Sequence, residues 1–235
     1  MLTAGQNERV TRVGPGTPCG ALLRRYWQPV ALSEELQGDR PVKPITLLGE
    51  RLVLFKDGGG NYGLIDRRCR HRGADLAFGR LEPGGLRCPF HGWLYDANGR
   101  CLEQPAEPPG STFHLKVRQP AYPCVTHNGI VFAYLGQGDP PALPAFDCFA
   151  APDAFTFAFK GYYDCNWLQA LEVGIDPAHA SFLHRFFEDE DPEEGYGRQF
   201  RDETGGIAVT KLLREHDRPR LEVEDTDYGL RIFAL

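Results

Sequence analysis

Two short segments of the chain each carry one cysteine and one histidine. They read Cys69-x-His71 and Cys88-x-x-His91, with 16 residues between His71 and Cys88. Thiolate and imidazole ligands together suit either zinc or an iron–sulfur cluster. Zinc fingers usually present a cysteine pair followed by a histidine pair. Because each segment here supplies one of each, the pattern favours a two-iron cluster in which two cysteines hold one iron and two histidines the other. A zinc site, or core cysteines with unrelated exposed histidines, is the alternative.

Composition limits the classes of partner and compartment. The chain has 235 residues, a net charge of −6 and no dense Lys/Arg face, which argues against nucleic acid and anionic membranes as partners. It contains no run of about 18 apolar residues, so no membrane span is expected. The N-terminus lacks the apolar core of a signal peptide. The seven cysteines are an odd number, so reduced thiols and a cytoplasmic location are expected.

The chain divides into four segments by composition. Residues 1–39 predict an N-terminal arm with a short amphipathic helix that ends before Pro29. Residues 40–140 hold short apolar and β-branched runs between turn residues, which is typical of antiparallel strands. Residues 141–154 are rich in proline and predict a linker. Residues 155–235 begin a second domain.

Two local patterns refine the β-rich segment. Asn98-Gly99 predicts a hairpin with a type I′ turn, because both central residues of that turn have positive φ. The apolar run Gly129–Leu135 predicts a buried strand that closes the domain.

A second group of candidate ligands lies in the later part of the chain. Asn166 suits a helix N-cap, and Asp176 followed by Pro177 suits the start of the next helix. His179 and His184 fall on or near that second helix. Residues five apart lie about 140° apart on an ideal helix, so the pair reaches one metal only if the helix is widened or broken between them. Taken alone, the pair fits a structural role equally well.

Taken together, the motifs resemble those of Rieske-type aromatic-ring oxygenases. The pattern Cys-x-His…Cys-x-x-His is followed 85 residues later by Asp-x-x-His-x-x-x-x-His. The segment from Asn166 to His184 is most similar to the phthalate 4,5-dioxygenase and vanillate demethylase branch. The resemblance extends over nearly the whole chain.

The resemblance implies an α+β fold with two parts. A small all-β Rieske domain comes first, in which Cys69, His71, Cys88 and His91 hold a 2Fe-2S cluster. The start of an α+β catalytic domain follows, with helices lying on a curved antiparallel sheet.

The resemblance also implies a second metal centre. His179 and His184 would be two ligands of a 2-His-1-carboxylate site for mononuclear iron(II). Asp176 would bridge the two centres between neighbouring subunits of a homotrimer. Glu172, one turn before Asp176, would either support it or be solvated.

The implied function is that of a terminal oxygenase component. Such a subunit passes electrons from a 2Fe-2S cluster to a mononuclear iron(II), which activates O2 on a phthalate- or vanillate-like aromatic substrate by hydroxylation or O-demethylation. No nucleotide-binding loop is found in the sequence, so a separate NAD(P)H-dependent reductase is the expected partner. The alternatives are a Rieske electron-transfer protein and a truncated subunit without oxygenase activity.

The carboxylate of the iron site is not found in the sequence. In the family it comes from a helix far downstream of the histidine pair, whereas this chain ends at Leu235 within a run that reads as a strand in mid-course. We therefore expect the C-terminal half of the catalytic domain to be absent. Glu188 or Asp189 would replace the carboxylate only if their acidic loop folds back.

Overall fold

The chain forms two compact units, Met1–Tyr162 and Tyr163–Leu235. The computed structural model describes residues 2–152, 155–183, 215–227 and 229–235. Within these ranges the protein is mostly sheet with a few short helices, which confirms the predicted α+β class. In the part of the chain so described, no helix is long and apolar enough to cross a membrane. The boundaries drawn at residues 39, 140 and 154 stay predictions.

The first unit is built from short antiparallel strands. Its helices are α1 (Ala4–Thr11), α2 (Pro18–Leu23) and α3 (Asp147–Ala150). Its strands are β1 (Trp27–Leu32), β2 (Val42–Leu47), β3 (Glu50–Lys56), β4 (Tyr62–Asp66), β5 (Arg80–Glu82), β6 (Gly85–Arg87), β7 (Leu94–Tyr95), β8 (Cys101–Glu103), β9 (Ala121–Tyr122), β10 (Cys124–His127) and β11 (Ile130–Tyr134).

These strands form three antiparallel sheets, with strand orders β1-β11-β10, β2-β3-β4-β9 and β5-β6-β7-β8. The connection between β4 and β5 carries the first Cys/His segment, and the connection between β6 and β7 carries the second. The first candidate ligand loop is therefore anchored by one strand of the second sheet and one of the third, and the second loop by two strands of the third sheet.

Strand β3 is buried on both faces. Val53 and Phe55 pack into the core beneath the Cys/His loops, whereas Leu52 and Leu54 pack into a second core with β11. All four side chains are at most 1% exposed. A strand covered on both sides reads as a continuous apolar run, as this one does.

The predicted helix before Pro29 is wrong in its extent. Helix α2 ends at Leu23, and Trp27 and Pro29 belong to β1, which pairs with β11. Because β1 is the edge strand of its sheet, the missing N–H of Pro29 is tolerated, and the register shifts just after it. Pairing with β11 outweighs the local helical pattern.

The hairpin at Asn98-Gly99 is confirmed, but the predicted type I′ turn is wrong. Gly99 has φ +77°, whereas Asn98 is not in the positive-φ region. The Gly99 amide donates to the Asp96 carbonyl at 3.0 Å, and the Asp96 amide to the Arg100 carbonyl at 3.0 Å. The loop is therefore one residue longer than the two-residue type I′ form. The buried strand predicted over Gly129–Leu135 is confirmed as β11.

The second unit contains α4 (Trp167–Ile175), α5 (Ala180–Leu183), β12 (Leu221–Thr226) and β13 (Gly229–Ala234). Strands β12 and β13 pair antiparallel. The predicted N-cap is confirmed, because the Asn166 side chain accepts hydrogen bonds from the Leu168 and Gln169 amides. The predicted start of the next helix, with Asp176 as N-cap and Pro177 as first residue, is wrong. Helix α5 begins at Ala180, and Asp176 is the C-cap of α4.

Candidate metal centre

The two Cys/His loops share one backbone frame. The amide of Cys69 donates to the carbonyl of Ala74 at 2.9 Å, and the amide of Gly73 donates to the carbonyl of Cys69 at 2.8 Å. The second loop repeats both bonds at the same offsets. There the Cys88 amide donates to the Trp93 carbonyl at 2.8 Å, and the Gly92 amide donates to the Cys88 carbonyl at 3.2 Å.

A glycine with positive φ closes each frame. Gly73 has φ +69° and Gly92 has φ +72°. L-residues with a side chain rarely adopt this region, so glycine is the residue that allows each loop to turn back on its cysteine. The frames differ only in where the histidine falls, two residues after Cys69 and three after Cys88.

The loops bring like side chains together. The thiols of Cys69 and Cys88 are buried within hydrogen-bonding reach of each other, and the hydrogen bond from Cys88 lowers the pKa of the Cys69 thiol. The same contact, together with burial, raises the pKa of Cys88. The imidazole rings of His71 and His91 meet edge to face with centroids 4.6 Å apart. The pattern is one cysteine pair beside one histidine pair.

One ring nitrogen in this pair has unmet bonding capacity. Nδ1 of His91 is buried and has no hydrogen-bond partner among the described residues. A buried polar atom normally has a partner, and a metal ion is one way to supply it. The donor set of two thiols and two imidazoles therefore fits a two-iron cluster, although no three His, Cys, Asp or Glu side chains of the described ranges surround a single point.

Aromatic side chains pack around the two histidines. The Trp93 ring stacks on His71 with centroids 4.6 Å apart and 8° between the planes. The Phe90 ring lies against the His91 ring with centroids 4.0 Å apart, and the Phe90 side chain is 62% exposed. Beneath them, the hydroxyl of the fully buried Tyr95 lies 3.3 Å from the sulfur of Cys69. Burial, followed by this contact with the thiol, raises the pKa of Tyr95.

The side chain of Gln119 fixes the backbone of the first loop through hydrogen bonds. Its side chain is fully buried, and its amide nitrogen donates to the carbonyls of Asp66 and Arg68 at 2.7 Å each. Its amide oxygen accepts from the backbone amide of Arg70 at 3.2 Å. Sequence reasoning missed this residue because it belongs to no motif and lies 50 residues beyond Cys69.

The second candidate site is described only in part. His179 lies in the turn before α5, and its Nδ1 is 3.7 Å from a carboxylate oxygen of Asp176. The other oxygen of Asp176 accepts from the Ala178 amide at 2.9 Å. Glu172 is exposed on α4. His184, together with the acidic loop that contains Glu188 and Asp189, lies outside the described residues, so the convergence of the two histidines stays a prediction.

A cavity of about 330 Å³ lies beside Asp176 within the second unit. One wall is the end of α4 and the turn after it, Gly174–Pro177. The other wall is the β-hairpin, lined by Leu221, Leu230, Ile232 and Ala234. Most of its lining side chains are aliphatic, with Asp176 as the charged exception.

A small antiparallel domain whose two tip loops present paired cysteines and paired histidines defines the class of Rieske iron–sulfur domains. The family model described as "Rieske 2Fe-2S domain" matches residues 26–123, which include both loops. A 2Fe-2S cluster is therefore the cofactor that this domain implies.

Relatives identify the wider family. The oxygenase subunit of 5,5'-dehydrodivanillate O-demethylase from a Sphingobium species is 40% identical over 97% of this chain and 51% of its own length. The oxygenase subunit of phthalate 4,5-dioxygenase from Pseudomonas putida is 38% identical over the whole chain and 52% of its own length. The solved structure of NdmA from Pseudomonas putida CBB5 matches with a TM-score of 0.66 at 25% identity, covering 90% of this chain and 59% of that one.

The chain contains a Rieske 2Fe-2S domain, and over nearly its whole length it is similar to the oxygenase subunits of Rieske non-haem iron oxygenases. It spans about half the length of the curated relatives that it matches.

Proposed function

We propose that this protein serves as the terminal oxygenase component of a Rieske ring-hydroxylating or O-demethylating system. When bound, the 2Fe-2S cluster supplies single electrons, and a mononuclear iron(II) supplies the activation of O2. The observation that carries the proposal is the pairing of Cys69 with Cys88 and of His71 with His91, in a chain that is 40% identical to an O-demethylase subunit.

We assign the cluster to these four side chains. The shared backbone frame presents both cysteines, and the unpartnered Nδ1 of His91 is available as a ligand. Two imidazoles in place of two thiolates leave less negative charge around the irons, which raises the potential relative to all-cysteine clusters. The half-buried His91 and the exposed His71 then lie between the cluster and the protein surface.

Iron and acid-labile sulfide per chain, measured with electron paramagnetic resonance (EPR) before and after reduction, test this assignment. The protein should be red-brown, with a reduced-state signal typical of mixed His/Cys ligation. Cys69→Ser and His91→Ala should each abolish the colour. Cys124→Ser, which removes a half-buried thiol outside the two loops, should keep it. A colourless protein that contains one zinc ion would refute the assignment.

The second site is proposed to hold the mononuclear iron through His179 and His184, with a carboxylate that has not been identified. Asp176 lies 3.7 Å from His179, which supports a role in orienting that imidazole. We propose that Asp176 also approaches His91 of a neighbouring subunit in a homotrimer and so links the two centres. Glu172, one turn earlier on α4, would support Asp176.

The proposed substrate is a small aromatic molecule of the phthalate or vanillate type. The names of the relatives favour this class, and the aliphatic cavity beside Asp176 is compatible with it. The proposed electron source is a separate NAD(P)H-dependent reductase, directly or through a ferredoxin. A solved complex of the oxygenase and ferredoxin of carbazole 1,9a-dioxygenase, which matches this chain with a TM-score of 0.57 at 29% identity, supports a ferredoxin as the carrier.

A further inference from the structure

The first cluster loop carries a charge opposite to that of the whole chain. The net charge is −6, yet Arg67, Arg68, Arg70 and Arg72 fall within six residues. The last three, which we call the arginine triad, are exposed and form no ion pair with any described residue. Two of them flank His71, so the exposed imidazole lies within a local positive surface.

A small notch lies beside the triad. It has a volume of about 120 Å³ and is lined by Arg51, Arg67, Arg68, Gly73 and Asp75. Asp75 accepts two hydrogen bonds from Arg67, at 2.8 and 2.6 Å, which hold its pKa below the ordinary value. Three guanidinium groups and one carboxylate leave the notch with a charge of about +2. A carboxylate from another molecule is the ligand that suits such a fork of guanidinium groups.

The surface beside the other histidine is different. His91 is half-buried and adjoins Pro89 and Phe90, which are exposed and apolar. An apolar surface of this kind suits a lasting contact between subunits, whereas uncompensated charge suits a transient partner that must be steered into place. The two imidazoles of one cluster therefore adjoin two chemically distinct surfaces.

We propose that the arginine triad and its notch form the docking surface for an electron-donor protein with an acidic face. A carboxylate of the donor would enter the notch between Arg51 and Arg68, which brings the donor beside His71. The reduced donor gives up one electron, the oxidised cluster accepts it, and no covalent bond is made or broken. The inference rests on the proposed function, because it requires a cluster held by His71 and its three partners.

The proposal predicts the sign of a salt effect. An acidic donor and this chain both carry net negative charge, so net charge alone predicts repulsion, and added salt should strengthen binding by screening it. Local attraction by the triad predicts that added salt weakens binding and slows association. The direction of the salt effect therefore separates the two cases.

The test measures binding of an oxidised two-iron ferredoxin of negative net charge, by biolayer interferometry, between about 20 and 300 mM NaCl. Binding to the native protein should weaken as salt rises. Each single Arg→Gln change in the triad should weaken low-salt binding about two- to fivefold, and the triple change should remove most of the salt dependence.

A matched triple variant controls for loss of net charge. Arg9→Gln, Arg12→Gln and Arg25→Gln remove three exposed arginines on or beside α1 and α2, away from both cluster loops in the chain, and should leave ferredoxin binding unchanged. The visible spectrum of each variant reports whether its cluster is intact. This readout keeps failure of the cluster assignment separate from failure of the docking surface.

Three outcomes would overturn the docking proposal. The first is no binding of the ferredoxin, or binding that strengthens with salt. The second is equal loss of binding in the control and triad variants. The third is a change in oligomeric state on neutralising the triad, seen by analytical ultracentrifugation, which would assign the surface to a second copy of this chain instead of a donor.

Discussion

The hydroxyl of Tyr95 lies 3.3 Å from the sulfur of Cys69, within the core beneath the two cluster loops. With Cys69 as an iron ligand in its thiolate form, only the hydroxyl can donate in this contact. A hydrogen bond to a ligand sulfur stabilises the more negative, reduced state of a cluster and so raises its reduction potential. Tyr95 is therefore positioned to set the potential of the proposed cluster.

Replacing Tyr95 with phenylalanine should lower that potential. A loss of about 1 kcal/mol of stabilisation of the reduced state corresponds to a shift of about 40 mV for one electron. Redox titration followed by EPR measures the shift. Tyr122→Phe removes a half-buried hydroxyl, which donates to Glu50, and should leave the potential unchanged. Equal potentials in the native protein and Tyr95→Phe would contradict the role assigned to Tyr95.

Two buried glutamines near the cluster loops should respond oppositely to substitution. Gln119→Leu leaves two carbonyls and one amide of the first loop without partners, so we expect a loss of about 3 kcal/mol in unfolding free energy and a broadened EPR signal. Gln104 is 8% exposed, and neither of its amide atoms has a partner within the described residues. Gln104→Leu should therefore be neutral or stabilising.

Chemical denaturation of both variants, with EPR of the reduced cluster, checks this contrast. A Gln119→Leu protein with native stability and an unchanged signal would show that the loop is held by other contacts. A strongly destabilised Gln104→Leu protein would show that Gln104 has a partner, such as water, that protein atoms alone do not reveal.

Asp176→Asn separates the proposed bridge from a structural cap. Asparagine can still accept the hydrogen bond from the Ala178 amide, so the turn before α5 should be kept. The negative charge facing His179 is lost, and turnover should fall roughly 10- to 100-fold while the cluster signal stays native. Asp164→Asn, which removes an exposed carboxylate just before α4, is the matched control and should leave turnover unchanged. Near-normal turnover in Asp176→Asn would reduce Asp176 to a cap.

The pH dependence of stability should report on Glu35. Burial raises its pKa, but hydrogen bonds from Lys160 and Lys43, at 2.6 and 2.5 Å, and from the Leu32 amide outweigh it and lower the pKa to about 2. Because the folded pKa is below the ordinary value of 4.5, the stabilisation is present above pH 4.5 and is lost as pH falls towards 2.

Glu35→Gln should therefore cost about 1–2 kcal/mol at pH 7 and reduce the fall in stability between pH 4.5 and 2. Calorimetric melting at a series of pH values measures both effects. Glu34→Gln, on the exposed neighbour, should melt like the native protein at every pH. A Glu35→Gln protein with native melting at pH 7 would show that the ion pairs of Glu35 with the two lysines do not stabilise the fold.

Local chemistry explains which features the sequence could predict. The Cys/His spacing, the cap at Asn166 and the buried run in β11 each depend on a few neighbouring residues, and the structure has each motif where the sequence predicts it. These features need no knowledge of distant partners. The family resemblance added the function, which no local rule supplies.

Long-range pairing explains what the sequence could not predict. Trp27 and Pro29 lie in a strand because β11, more than 100 residues later, pairs with them. Gln119 reaches back 50 residues to the first loop. Asp176 followed by Pro177 suited a helix start, yet a turn intervenes before Ala180. In each case a tertiary contact or a competing local turn outweighs the propensity of the segment.

Strand β3 has a consequence for how the protein opens. One of its faces lies in the core under the cluster loops and the other in the core beside β11, so neither core can separate without exposing this strand. Amides throughout β3 should then exchange with solvent only on global unfolding, at one common rate. Release of the cluster by partial opening is disfavoured, and its lifetime would be governed by the cooperative unfolding of the whole first unit.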